Sequence, residues 1–283
     1  MELLQSLIMG FFGGVFGAYI GGLGSFVLCG FLGLVGAAIF VVNGDSTFIN
    51  EVAFGPLFSP ATAFVGGVAA AAYLGRLTRN KRIATDVSGA GTDIVTPLYK
   101  TQNISVLIVG GIFGLIGQGI VLGLNAINFV ADNAAIAVVV AAMLSRLVFD
   151  DTNLLGKDFS WKKRTEDWSL NTIIFNIFAS YAIGVLIAVI VDLTGVLTFG
   201  FLLGAFTLIF IMMGFNWPMT HHITMCAAFG FLAFGNIWIA GLFGITAYLL
   251  SELLRRVFNA NVDSHIDHPA FTIALHSLLL LNI

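Results

Sequence analysis

Ten long apolar runs follow one another along this chain, with nearly all charged side chains placed between them. They cover about residues 5–22, 25–42, 59–77, 104–124, 133–149, 171–192, 196–214, 220–234, 237–254 and 270–283. A helix that crosses a bilayer needs about 20 mostly apolar residues. In hydrocarbon, only a helix or a closed barrel satisfies its own backbone. The expected fold is therefore all-α, a polytopic integral membrane bundle of about ten transmembrane helices. Only 10% of the 283 residues are charged, against about 25% in a soluble domain. That share excludes an ordinary soluble enzyme, and a net charge of -3 argues against a nucleic-acid partner. The opening Met1-Glu2-Leu3-Leu4 lacks a basic leader region, so the first run reads as a retained helix.

All twelve basic residues fall in three segments: 76–100, 146–164 and 255–256. Excess Lys and Arg mark cytoplasmic loops, so these three are expected inside a bacterial plasma (inner) membrane. Asp45 and Glu51 then lie outside, as does the N-terminus. The C-terminus is also external if the last run crosses fully. Its 14 residues, however, make only about 21 Å of helix against about 30 Å of hydrocarbon.

Weak self-similarity divides the chain into a first repeat (1–150), a cytoplasmic linker (151–170) and a second repeat (171–283). Val15-Phe16-Gly17-Ala18-Tyr19 resembles Ile177-Phe178-Ala179-Ser180-Tyr181. At the same offset, Pro56-Leu57-Phe58-Ser59-Pro60-Ala61-Thr62 resembles Pro218-Met219-Thr220-His221-His222-Ile223-Thr224. Gly111–Leu115 resembles Gly241–Ile245, and Asp132-Asn133-Ala134-Ala135 resembles Asp267-His268-Pro269-Ala270. Five spans per half place the second half upside down, and inverted repeats are a transporter architecture with the solute path at their interface. In topology this plan resembles that of urea channels, which also invert five-helix halves around a narrow path. The likeness rests on the two proline-containing loops and extends to no residue-level motif. A non-transporting membrane scaffold is the competing expectation for duplicated helices.

Glycines four residues apart recur on the first run (Gly10, Gly13, Gly14, Gly17, Gly21) and on the fourth (Gly110/Gly114, Gly119/Gly123). Small residues on one face let membrane helices approach closely. The first and fourth spans, with the sixth and ninth, are thus expected at the bundle centre, and outward-facing glycines could join copies in a homo-oligomer.

The candidate path residues are mostly those that interrupt or cap these runs. Ser59 before Pro60 reads as an N-cap with proline at the first helical position, with Pro56 and Thr62 nearby. Pro218, Thr220, His221 and His222 form the counterpart. If both segments dip inward, two proline-broken half-helices aim amide donors and positive dipole ends at the path, favouring an anion or carbonyl-bearing solute. Asp132 and Asp267 are either N-caps or, buried in the path, binding sites for a proton or cation. His268, Gln118, Asn176 and His276 are further polar candidates. The stretch Asp263–His268 mixes several possible metal ligands but lacks a zinc-site spacing.

Cys29 and Cys226 read as small core residues. There is no Walker A lysine after Ser88-Gly89-Ala90-Gly91-Thr92, no HExxH and no Gly-x-Ser-x-Gly. The expectation is thus a non-enzymatic transport protein without cofactor or metal, partnered by the lipid bilayer and a small polar solute. Its primary form is a channel-like or weakly coupled path for a neutral or anionic solute. The alternative is a proton- or cation-coupled carrier, divalent metal included, using Asp132, Asp267 and His221.

Overall fold

The computed structural model describes residues 3–83, 87–166 and 168–283; Met1 and Glu2, which opened the leader argument, lie outside them. Among the described residues the fold is entirely helical, without strands. Among those residues, five helices are long and apolar enough to cross a membrane: α1 (Leu3–Ile20), α2 (Gly22–Asn43), α4 (Ile104–Ala126), α7 (Leu170–Thr194) and α11 (Ile237–Phe258). Between them lie α3 (Val65–Arg79), α5 (Asn133–Phe149), the single turn α6 (Trp161–Arg164), α8 (Phe199–Phe206), α9 (Ile209–Met212), α10 (His221–Phe234) and, last, α12 (His268–Leu280). Every predicted run coincides with helix, but 196–214 is interrupted: α8 and α9 are separate pieces, followed by an exposed stretch from Met213 to Met219.

Close approach at glycine sets the outer pairs. α1 and α4 run antiparallel, and a Cβ on Gly14 would lie 2.1 Å from the Gly110 carbonyl oxygen. α7 and α11 meet in the same way, with Gly244 against the Ser180 carbonyl and Gly184 against Gly241. The packing repeats beyond these pairs. α3 contacts α1, α4 and α5, and α10 contacts α7, α11 and α12.

The two halves join through antiparallel contacts between corresponding elements. Gly30 and Gly33 of α2 pack on Leu202 of α8, while Gly24 meets Met212 of α9. At the start of α5, the Asp132 amide donates to Ser277 Oγ near the end of α12 at 2.8 Å.

The glycine-rich helices are therefore not the centre, contrary to expectation. α3 and α10 are the most completely buried of the long helices; α1 and α4 press on α3, and α7 and α11 on α10, each pair from one flank. Glycine here serves backbone contact with the neighbouring helix rather than the lining of a path. Gly123, by contrast, has open space around it.

Three basic segments far apart in sequence meet on one face. Arg76 donates to the Val148 carbonyl at 2.6 Å, and Arg79 pairs with Asp151 at 3.1 Å. Lys157 pairs with Asp263 at 3.4 Å. Arg146, fully buried, donates to Ser264 Oγ (2.9 Å) and to the carbonyls of Leu154 (3.0 Å), Ser264 (2.7 Å) and Phe258. Arg164 donates to the Arg256 carbonyl at 2.7 Å, and Arg256 reaches Glu252 at 2.6 Å. Charge-assisted bonds to carbonyls are the strong kind, and they clamp the linker to the loop between α11 and α12.

Candidate functional site

Local chain breaks build the site. Pro60 cannot donate to a preceding turn, so the helix that becomes α3 begins there, in a wide π-helical turn, Pro60–Phe64. Ser59 Oγ caps it by accepting from the Ala61 amide at 3.2 Å, and Thr62 Oγ1 donates back to the Ser59 carbonyl at 3.0 Å. Gly17 of α1 lies against the Ala63 carbonyl, and Gly117 of α4 against that of Ala61. The glycine faces thus hold this turn in place. On the other half, Gly204 of α8 admits the His221 backbone: a Cβ there would meet the His221 Cα at 2.7 Å. α10 starts at His221 without a side-chain cap.

These two helix starts share one cavity. Pro60, Phe64, His221 and Met225 line it together with Asp132, Asp267, Thr198 and the rings of Phe26, Phe54 and Phe201. Its free space is about 50 Å³, room for about three to five waters at ~10–15 Å³ each. The His221 ring sits 5.0 Å from Phe26 and 5.9 Å from Phe201. Asp132 caps α5 by accepting from the Ala135 amide at 2.9 Å, and Asp267 caps α12 by accepting from the Ala270 amide at 2.8 Å. Both aspartates therefore cap their helices and also line the cavity. One carboxylate oxygen holds the helix while the residue lines the cavity. No lysine or arginine lines it.

A second, larger cavity of about 320 Å³ lies behind the first. Asn176, Ser180, Pro218, Thr220, His222, Tyr248, Ser251, Glu252, Arg255 and His268 contribute to it. It reaches the basic face through Glu252 and Arg255, which pair at 2.8 Å.

Two pairs of sequence neighbours are split between the cavities: His221 and Asp267 line the first, His222 and His268 the second. His268 Nδ1 is 2.7 Å from Ser251 Oγ. Buried His221 Nδ1 and His222 Nδ1 have no hydrogen-bond partner. His276 is structural: its Nδ1 donates to the Thr272 carbonyl and its Nε2 meets Thr246 Oγ1, both at 2.9 Å.

Several expected path residues stand elsewhere. Pro56, Ser59 and Thr62 are buried behind the first cavity and shape it without lining it. Gln118 donates to Ser6 Oγ at 2.9 Å between α4 and α1, away from both cavities. The Pro218 segment does not dip inward: residues 213–219 are exposed, and Pro218 borders only the outer cavity. A short broken helix precedes it, so nothing carries that stretch into the core. Asp263–His268 diverges into separate roles, and among the described residues no group of three or more His, Cys, Asp or Glu is placed to hold a metal.

The lining phenylalanines escaped the sequence reading. With 27 phenylalanines in the chain, no single one stands out. Tyr248 and Glu252 lie within a helix whose pattern shows no interruption.

At the basic face, the electrostatics are settled by hydrogen bonds. Burial by itself would raise the Asp150 carboxyl, but bonds from Ser264, Thr152 and the Asp263 amide outweigh it and hold the group below the usual carboxylate range. Burial, with the nearby Arg146 charge, lowers His265 to about 4, so this imidazole is neutral at pH 7.

Among the described residues, the fold is all-helical with five membrane-length apolar helices, compatible with an integral membrane protein. The chain belongs to a family of unknown function, DUF7973, whose sequence profile matches residues 1–167 and 160–282. No curated protein and no solved structure matches it.

Proposed function

We propose that this chain is a membrane transport protein of two inverted repeats, working as a proton- or cation-coupled carrier through the cavity that holds Asp132 and Asp267. The observation that carries this reading is that those two aspartates, near opposite ends of α12, and two helix starts, Pro60 and His221, line one cavity. Antiparallel packing of corresponding helices, α2 on α8 and α5 on α12, supports an axis lying in the membrane plane. An axis along the membrane normal would pair them parallel. On this reading the ten helical segments form five spans per half, the short ones completed by the loops that adjoin them. The face gathering Arg76, Arg79, Arg146, Arg164 and Arg256 is cytoplasmic, in a bacterial inner membrane.

Charge favours one of the two forms of transport. The starts of α3, α8 and α10, which no aspartate caps, together present a positive dipole end of about one and a half charges to an anion. Two carboxylates with no basic side chain beside them outweigh it, so an anion would enter a negative cavity. A cation or proton is the favoured occupant. Exchange follows directly: a protonated carboxyl releases its proton when a cation binds, and the cation leaves when the proton returns. His222 and His268 line the outer cavity next to the pair that lines the inner one, and supply a proton route from the cytoplasmic side.

Purified protein in liposomes tests the reading. A cation gradient should move protons against their own gradient, and Asp132→Asn with Asp267→Asn should abolish that coupling. Downhill flux of neutral solutes that ignores both gradients and both substitutions would establish the channel form instead.

A further inference from the structure

We infer that the cation taken by this cavity is a small organic one bearing N–H groups, an alkylammonium or a guanidinium. The inference rests on the carrier reading above and goes beyond it to the substrate class.

The donor inventory rules against calcium or magnesium. Calcium takes six to eight oxygen ligands and magnesium an octahedron of them. The cavity offers oxygen side chains from Asp132, Asp267 and Thr198 alone, and each aspartate already gives one oxygen to its helix cap. Backbone carbonyls cannot make up the number. The elements that open here, at Pro60, Asp132, Thr198, His221 and Asp267, present helix N-termini. At that end a helix exposes amide hydrogens, while its carbonyls point down the axis away from the cavity.

What the walls do offer suits an organic cation. Phe26 stands 5.4 Å from Phe64 and 5.6 Å from Phe201, and Phe201 stands 5.9 Å from Phe54, so four rings form a continuous surface. A cation near an aromatic face is attracted by the ring quadrupole, most strongly when desolvated. Organic ammonium and guanidinium groups also lose less hydration on entering such a site than compact metal ions. The N–H groups of the ligand have acceptors waiting. These are the second oxygen of each aspartate, left free by the caps, and the imidazole of His221 in the cavity wall. The free volume of about 50 Å³ matches a handful of heavy atoms rather than a large substrate.

The test uses the full chain in liposomes that hold an acid interior, with a fluorescent reporter of the pH gradient. Guanidinium chloride is the probe, because its cation does not cross lipid as a neutral base. Guanidinium outside should collapse the gradient at least tenfold faster than equal Na⁺, K⁺ or Mg²⁺. Phe26→Leu with Phe201→Leu should raise the guanidinium concentration for half-maximal rate about tenfold. Inorganic cations acting as well as guanidinium would overturn the substrate assignment while leaving the carrier reading intact. Failure of every cation to collapse the gradient would overturn both. Should the double variant fail to fold by size-exclusion chromatography, the cation series on the unaltered protein decides.

Discussion

Replacing Arg146 by leucine removes the guanidinium that joins the end of α5 to the loop preceding α12. In the native protein this side chain is fully buried, and so is the Asp150 side chain 3.7 Å away. The ion pair is loose, whereas the hydrogen bonds are tight: Nε to Ser264 Oγ at 2.9 Å, and Nη atoms to the carbonyls of Leu154 (3.0 Å), Ser264 (2.7 Å) and Phe258. Leucine would leave those carbonyls unpaired in a region closed to water. It would also leave Asp150 without its positive neighbour, although Ser264 Oγ (2.8 Å) and the Asp263 amide (2.9 Å) would still donate to it. Breaking a buried charged network by removing one member costs about 3–5 kcal/mol. For a chain of this size the melting temperature should fall by on the order of 10 °C, measured by thermal denaturation in detergent. Asp150→Asn should cost clearly less, because the guanidinium keeps its carbonyl partners. Arg146→Lys should fall between, since one ammonium cannot serve acceptors spread around a planar fork. If Asp150→Asn proved as damaging as Arg146→Leu, charge pairing rather than carbonyl capping would hold this face together, and the reasoning would fail.

Gly14→Ala should destabilise by about 1–3 kcal/mol, because the new Cβ meets the Gly110 carbonyl oxygen at 2.1 Å. Gly123→Ala, with nothing within 4 Å, is the matched control, and equal melting temperatures for the two would contradict the packing. Stability should decline as pH falls from about 6.5 toward 4. In that window unfolded His265 takes up a proton that the folded imidazole, lowered to about 4, refuses. His265→Gln should flatten the pH profile there, and an unchanged slope would show that other groups set it. Because Cys29 and Cys226 are both buried, a cysteine placed at Lys163 can be labelled selectively. It should react in inverted vesicles and stay protected in intact cells, whereas strong labelling of intact cells would reverse the proposed orientation.

The membrane-length helices were legible because their cause is local. A run such as Ile104–Ala126 contains no charge, and its backbone satisfies itself whatever surrounds it. The caps at Ser59, Asp132 and Asp267 were legible for the same reason: each side chain bonds an amide two or three residues ahead. The glycine spacings foretold close contact, and Gly14 against Gly110 supplies it. They could not say whether that contact lay at the centre or the flank, because a small face fits either. The inward course expected for Pro218 failed because a break in the sequence marks where a helix starts, not how deep it starts. Depth depended on what precedes it, here the short pieces α8 and α9. The cavity itself was decided by tertiary structure alone. Phe26, Phe54, Phe64 and Phe201 come from separate elements, and in a chain so rich in apolar residues hydrophobicity places a side chain in the interior without choosing its neighbours. Sequence thus determined which segments are helical and where each begins. Only the packing of two halves against each other, through contacts between residues as distant as Asp132 and Ser277, decided which helix starts face one another across a common space.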